Sequence, residues 1–585
     1  MTPKLASGQT ARLFGHFTLG YSTFGHSKPE YPGLGHPISH LLMIAAVCFL
    51  AITPFFFWGS PSGHDFEFHM FSWMDVLSQW KQGIVYPRWA AMAHWGYGEA
   101  RFIFYPPASW TLGAALGVIL PWKMVPGAYC WLVMTLAGAA MYRLAQHWLR
   151  PPDALFAAAF YAVNPYHLLI VYWRSAYAEL LAAALVPLLL LCAVRLKEDG
   201  FRATLWLSLT LAAAWLTNVP AALMIQYSAA GLAVLVAVSE RSLRPLVRTA
   251  RATLLGVGLA SFYLLPAIYE QRWINISQVL SPGVQPQDNF LFTTLADLDH
   301  NRFNLLVSFV ALAEAGVLAL AIWFSRRERI ENRQPHGKQN AWVPLSAYGA
   351  VTIFLMFSAS NLLWEYLPEF RFVQLPFRWL LCLNAPLAVL LAMATDRGPK
   401  YRRLMRGLVS AVLLATIVIT ARRTQLPWWD MASDIREMTQ AVSDGTGYEG
   451  TDEYAPAGAD PYELNKNLPR VSDETGTAVS ATTIQWGATE KRFLAHTSAA
   501  RNLTIRLFNY PAWEVTVDRK PVQTQTLDVT GLMIIPAAAG ENDVRIHFGG
   551  TRDRLAGGIV SLVSMVAFAA AWIKARPHTM SSVAS

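Results

Sequence analysis

Apolar residues run almost unbroken from Leu41 to Trp58, and similar runs recur between His40 and Thr420, with a last one from Leu555 to Ile573. Each approaches the roughly 20 apolar residues that carry a helix through a bilayer, and together they predict a polytopic α-helical membrane protein of about 12–13 membrane segments. The first run begins too late, and lacks the small-residue cleavage site, for a removable signal peptide, so it is expected to stay as the first span.

Short basic clusters separate the runs, at Arg143 to Arg150, Arg195 to Arg202, Arg241 to Arg251, Arg326 to Lys338 and Arg397 to Arg406. The positive-inside rule makes these cytoplasmic. The segments that alternate with them then face outward: the His64 region, Tyr172 to Ala176, the turn at Thr217, Gln271 to Arg302, Ser358 to Arg378 and the tail Arg422 to Arg554. The last run returns the chain to the cytoplasm at Lys574 and Arg576. If the N-terminal segment with Lys4 and Arg12 is also inside, one run must fail to cross. Tyr105 to Trp122, short and opening on Pro106 and Pro107, is the candidate for a dip and return; a violation of the charge rule at Arg143 is the other solution.

After Arg423 the pattern changes. Gly, Asp, Thr and Pro dominate to about Thr477, and alternating stretches follow, "LTIRLF", "WEVTVD" and "VRIHF", with turn residues in "DRKP" and "AAAGEND" between them. This predicts a small antiparallel β-domain on the outer face. The chain divides accordingly into a cytoplasmic N-terminal segment (1–39), a transmembrane domain (40–421) with an outer loop at 59–105, an outer loop and β-sandwich-like domain (422–554), and a final helix with a cytoplasmic tail (555–585).

Composition supports the bilayer as solvent, since 54% of the 585 residues are hydrophobic and only 15% are charged. The net charge of +9 would suggest nucleic acid, but the basic residues lie in loops where membrane orientation accounts for them, so no nucleic-acid partner is expected. Cys48, Cys130, Cys192 and Cys382 have no metal-like spacing and read as small core residues.

Against this background "GHDFEFHM", Gly63 to Met70, places four titratable groups in an outer loop. Asp65 and His69 stand at i and i+4, on one face if the segment is helical. A carboxylate backed by an imidazole at a membrane boundary can deprotonate a hydroxyl that attacks a lipid-carried substrate; a merely polar interfacial loop is the plainer alternative. Zinc-protease chemistry is excluded by spacing, because His64 and His69 are five apart. The following "GIVYPRWAAMAHWGYGEARFIFYPP" mixes aromatics, which suit an interface or sugar faces, with Arg88, His94, Glu99 and Arg101.

The order "HDFEFH", "QGIVYPRW", "GYGEARFIFYPP" and, much later, "VQLPFRW" resembles the bacterial membrane family labelled 6-pyruvoyl-tetrahydropterin synthase-related, a label that carries no pterin chemistry here. That family is similar to the YfhO-like proteins and, through them, to the GT-C superfamily of glycosyltransferases. The motifs cover roughly Leu41 to Trp379, and "NYPAWEVTVDRKPV" resembles the YfhO-type β-domain. The resemblance implies a GT-C-like enzyme of the bacterial inner membrane. It would take a sugar from a polyprenyl-phosphate-linked donor and pass it to a glycan, lipid or protein acceptor at a site facing the periplasm or exterior.

Carried over residue by residue, the resemblance makes Asp65 the catalytic base, with Glu67 as the alternative acid and His69 as the group that orients Asp65 or shares its proton. The superfamily often shows two adjacent acids, whereas Phe66 separates Asp65 from Glu67 here, which leaves metal dependence open. A divalent cation, with His64 and Asp65 as ligands, is the one cofactor to consider. Tyr105 opens "YPP", where superfamily chains re-enter the membrane, although a proline helix start explains it equally well. Arg88, Glu99 and Tyr105 are candidate substrate contacts.

Arg378, just before an apolar run, can grip a phosphate bidentately, with Gln374 one turn away; a snorkelling arginine is the alternative. Arg174 is a second phosphate ligand, with Glu179 its structural partner, since charges bordering the membrane tend to mark pathways or pairs. Glu453 lies in "GYEGTDEYAPAGADP", read as a solvated acidic loop or as a segment folded back over the site to bind acceptor. Trp486, Tyr510 and Trp513 could stack on sugars but are expected in the core. The rival functions are a transporter or flippase, for which no half-repeats are seen, and a non-catalytic assembly subunit for lipid-linked glycans.

Overall fold

The computed structural model describes residues 37–196, 200–331, 342–396, 398–423 and 428–575. The segment with Lys4 and Arg12, the basic side chains from Arg326 to Lys338, Arg397 and Arg576 lie outside the described residues or side chains.

Among the described residues, ten helices are long and apolar enough to cross a membrane, and the bent pair Trp342–Leu355 and Ser358–Tyr366, broken by 94°, raises this to eleven. Gly200–Thr217, of 18 residues and not among these, lies between Tyr177–Arg195 and Val219–Glu240 in the chain and runs along Arg244–Glu270. Close packing makes this contact possible: a Cβ on Gly256 would lie 2.8 Å from the Ser208 carbonyl oxygen, the small-residue approach by which helices associate in lipid.

With the bent pair and Gly200–Thr217 both counted, twelve passages among the described residues would return the chain to the side from which Pro37 starts. The short helix Pro107–Ile119 is not among them, because its 13 residues fall short of a span. It begins beside the outer loop, where the Tyr105 and His69 rings are 5.9 Å apart, and it ends at Trp122–Met124, against the outer helix Ala432–Ser443. A dip and return at Tyr105 to Trp122 is compatible with this short helix.

The basic clusters collect at one end. Arg150 meets Asp396 at 2.6 Å, Arg406 meets Asp153 at 2.6 Å, and Arg248 donates to the Leu196 carbonyl at 2.5 Å. The opposite end gathers the segments expected to face outward: Ser60–Pro61 pairs with Trp429–Asp430, Ile274 bridges Pro456, and Gln374 donates to the Val279 carbonyl.

The C-terminal β-domain, residues 471–548, consists of two antiparallel sheets. One orders Val471–Ser472, Arg501–Phe508, Leu532–Ala537 and Gln525–Thr526; the other orders Ala481–Trp486, Glu490–Thr497, Gly540–Phe548, Trp513–Val517 and Lys520–Val522. Alternating burial along Glu490–Thr497 and Trp513–Val517 turns Phe493, Val515 and Val517 inward, as the period of 2 requires. Tyr510 and Trp513 lie in this core, while Trp486 is half-buried under Arg470.

The domain is anchored to the outer loop. Trp89 inserts between Tyr510, Trp513 and Phe548, with ring centroids 5.5 to 5.6 Å apart. Buried Glu270, at the end of a membrane helix, accepts from Arg554 at 2.7 and 2.8 Å and from the Tyr510 hydroxyl at 2.6 Å.

Candidate active site

The membrane helix Pro151–Arg174 closes in a π turn, Ile170–Arg174, and Ser175, at φ 51°, stops it in the left-handed region. Carbonyls at a helix C-terminus lack intrahelical partners, and amides at a helix N-terminus lack acceptors. Here the two deficits cancel: Asp65, immediately before the helix Phe66–Lys81, donates its N–H to the Arg174 carbonyl at 2.9 Å. Ser175 Oγ accepts from the Gly63 N–H at 3.0 Å and donates to the Pro61 carbonyl at 2.9 Å. Only glycine fits at 63, because a Cβ there would stand 2.1 Å from the Trp173 carbonyl oxygen.

Below this seam two guanidinium groups share one carboxylate. Glu179 Oε2 accepts from Arg174 Nη1 at 2.7 Å and from Arg378 Nε at 3.2 Å, and its other oxygen accepts from the Tyr166 hydroxyl. Arg378 Nη1 also donates to the Val373 carbonyl at 2.8 Å and to Gln374 Oε1 at 2.9 Å. Arg378 Nη2, and Nε and Nη2 of Arg174, have no protein partner among the described residues. Asp65 acts electrostatically on Arg174, Arg378 and Tyr105. Burial, with Asp65 adding, keeps the Tyr105 phenol well above its ordinary pKa. Glu179 contacts both buried cations directly and Asp65 acts on them from the loop, while the remaining guanidinium N–H groups are free donors for an anion. Arg378 is 9% exposed, too enclosed for a snorkelling residue.

The remaining candidates separate. Asp65 is half-buried, whereas Glu67 and His64 are exposed and point toward a different pocket. His69 does not hydrogen-bond the Asp65 side chain among the described residues; its ring packs on Phe68, Trp73, Tyr105 and Tyr177. Burial, with Arg101 adding, pushes His69 down to about 3, so it is neutral and cannot share a proton with Asp65 near neutral pH. Among the described residues no three His, Cys, Asp or Glu side chains are grouped to hold a metal ion, so His64 and Asp65 do not form such a set.

Arg88 is not with the arginine pair. Its guanidinium lies 4.5 Å from the Tyr86 ring and interacts with Glu270, Arg554 and Asp553 at the β-domain anchor. Glu99 is fully buried; it accepts from Arg101 and from the Thr451 N–H at 2.8 Å, and His94 Nε2 lies 3.0 Å from it. Burial works to raise its pKa, but Arg101 and His94 outweigh it and hold Glu99 at about 2. The stretch from Gly447 to Pro461 is folded onto the outer loop and is not a solvated acidic loop. Tyr448 stacks on Phe71 at 4.4 Å and donates to Asp75, and Asp452–Tyr454 packs against Ile276–Leu280, the segment that receives Gln374. Half-buried Glu453 is pushed up to about 7 by burial, with Glu99 adding.

Several residues of this arrangement carried no sequence signal. Gly63, Ser175 and Tyr166 are ordinary residues whose roles arise only from contacts across the chain. Glu314 did carry one, as a lone acid inside an apolar run; it accepts from Asn384 Nδ2 at 2.9 Å in the membrane core.

Residues 102–426, more than half of the chain, match the model of the 6-pyruvoyl-tetrahydropterin synthase related domain, described as a membrane protein. The Asp65 loop precedes the matched residues. No curated protein matches the chain. Similar solved structures include the arabinofuranosyltransferase AftD from Mycobacteria, at 18% identity and TM-score 0.42, over 67% of this chain and 27% of that one. The oligosaccharyltransferase AglB from Archaeoglobus fulgidus, in complex with an inhibitory peptide and a dolichol-phosphate, is 13% identical at TM-score 0.37, over 71% of this chain and 56% of that one. ArnT from Cupriavidus metallidurans, bound to undecaprenyl phosphate, is 12% identical at TM-score 0.38, over 69% and 77%. The chain thus spans little more than a quarter of AftD and just over half of AglB.

Proposed function

We propose that this chain, which belongs to the 6-pyruvoyl-tetrahydropterin synthase related family of membrane proteins, is a glycosyltransferase that moves a sugar from a polyprenyl-phosphate donor to an acceptor hydroxyl. The observation that carries the reading is the convergence of Arg174 and Arg378 on Glu179, with Asp65 tied to the Arg174 carbonyl. Arg174 and Arg378 hold the donor phosphate through their free N–H groups, and Gln374 fixes the Arg378 fork. Asp65 takes the proton of the acceptor hydroxyl as its oxygen attacks the anomeric carbon; the bond from that carbon to phosphate breaks, and its electron pair leaves with the polyprenyl phosphate. Phosphate is already a good leaving group, so base catalysis, positioning and neutralisation of departing charge are what the protein supplies.

The positive-inside rule applied to the basic clusters supports a site on the outer side of a cytoplasmic membrane, with the 422–554 segment on the same side. The experiment is incubation of the purified chain with candidate polyprenyl-phosphate sugars and detection of released carrier. Release that depends on Asp65 supports the transferase. A folded chain that moves lipid-linked glycan across vesicles with Asp65 replaced would favour the transporter instead.

A further inference from the structure

A pocket of about 380 Å³ opens beside the Asp65 loop, lined by Ser62, Gly63, His64, Glu67, Trp428 and Asp430. This is a volume suited to a small ligand. Backbone pairing fixes its walls: Ser60 and Pro61 pair with Asp430 and Trp429, and the Ser62 N–H donates to the Trp428 carbonyl at 2.8 Å. Gly63 lines the pocket and also presses against the Trp173–Arg174 backbone, so one residue separates the pocket from the turn that carries Arg174.

Two adjacent tryptophans are treated differently. Trp429 is 5% exposed and packs on Phe55, Trp58 and Tyr172, whereas Trp428 is 45% exposed at the pocket. The His64 ring stands 6.3 Å from Trp428 and 6.1 Å from Phe303. Asp430 is half-buried; burial, with Asp434 and Glu67 adding, pushes its carboxyl up to about 6, so it both accepts and, when protonated, donates. The pocket therefore offers one flat apolar ring beside a rim of hydrogen-bonding side chains. A sugar has the matching form, with an apolar C–H face and a rim of hydroxyls, and an amphipathic indole suits such a face.

We infer that this pocket is a sugar-ring subsite, with Trp428 under the apolar face of the ring and Asp430, Glu67 and His64 at its hydroxyls. The inference rests on the glycosyl-transfer reading above and deepens it. The ring comes either from the donor or from the end of a glycan acceptor.

The test uses the full chain with Trp428→Ala and, separately, Asp430→Asn. It measures KM for the sugar-loaded donor and for glycan acceptors, binding of sugar-free polyprenyl phosphate, and binding of a panel of methyl pyranosides and furanosides by saturation-transfer NMR. Trp428→Ala is expected to raise one of the two KM values about tenfold and to abolish the glycoside signal, with sugar-free carrier binding unchanged. A donor KM that moves identifies the donor sugar, and an acceptor KM that moves identifies the acceptor. If transfer proceeds and neither variant changes KM or glycoside binding, the subsite is overturned while the transferase stands. If no transfer occurs but glycosides bind wild type and not Trp428→Ala, the transferase falls and the sugar site stands. Displacement by alkylammonium ions, with no glycoside bound, would overturn the inference in favour of a cation pocket.

Discussion

The backbone N–H of Asp65 donates to the carbonyl of Arg174 across 2.9 Å, so the proposed base and a proposed phosphate ligand share a seam built from backbone atoms. Asp65→Asn leaves that seam in place and removes only the basicity of the side chain. Turnover is expected to fall by about 10² to 10⁴, with donor binding nearly intact, whereas Glu67→Gln should cost far less. Single-turnover assays beside donor titrations check this; near-normal turnover in the Asp65 variant would move the base elsewhere.

Arg378 uses Nε for Glu179 and Nη1 for Val373 and Gln374, a division of labour that needs a planar fork. Arg378→Lys keeps the charge and loses this geometry. Donor affinity should drop by about tenfold or more, roughly 1.4 kcal/mol, and equilibrium binding of polyprenyl phosphate measures it directly.

Gly63→Ala would place a Cβ 2.1 Å from the Trp173 carbonyl oxygen. Relief requires the Asp65 loop to move off the arginine turn, at a cost of about 1–3 kcal/mol. Activity should be lost while the membrane helices stay folded, so helical circular dichroism and turnover should part company in this variant.

Glu99 is held at about 2 in the folded chain against an ordinary value of 4.5. Because the folded value is the lower one, its stabilisation is complete above about pH 5 and drains away as the pH falls toward 2. The amide of Thr451 hangs on this carboxylate, so the segment around it should loosen in that window. Pepsin cleavage between residues 445 and 460 is the readout. Glu99→Gln leaves the Arg101 cation buried and uncompensated, costing about 3–5 kcal/mol, and should expose the same sites at neutral pH.

The four native cysteines are buried, which keeps background labelling low. Thr475 and Lys400 are exposed at the outer and basic ends. Thr475→Cys should react with an impermeant maleimide only from outside intact cells, and Lys400→Cys only after permeabilisation. The reverse pattern would invert the proposed orientation.

The spans, the basic loops and the alternating strands after residue 480 were legible in the sequence because each is set by neighbours within one run: some 20 apolar residues demand a bilayer whatever lies elsewhere, and a period of 2 marks a strand. Asp65, Arg174 and Arg378 could also be singled out as candidates, since charge at a membrane boundary is costly enough to be noticed. Their meeting was not. Arg378 reaches Glu179 across 199 residues, a closeness that depends on the packing of several helices at once and leaves no mark on any one of them. The same holds for the packing of His69 in an aromatic pocket, whereas the folding of 447–461 onto the neighbouring loop was one of two readings the sequence left open, and packing chose between them. Local pattern determined which residues cross, turn and carry charge, and tertiary packing alone decided which charges face one another, because burial and ion pairing depend on distance in space and not on separation along the chain.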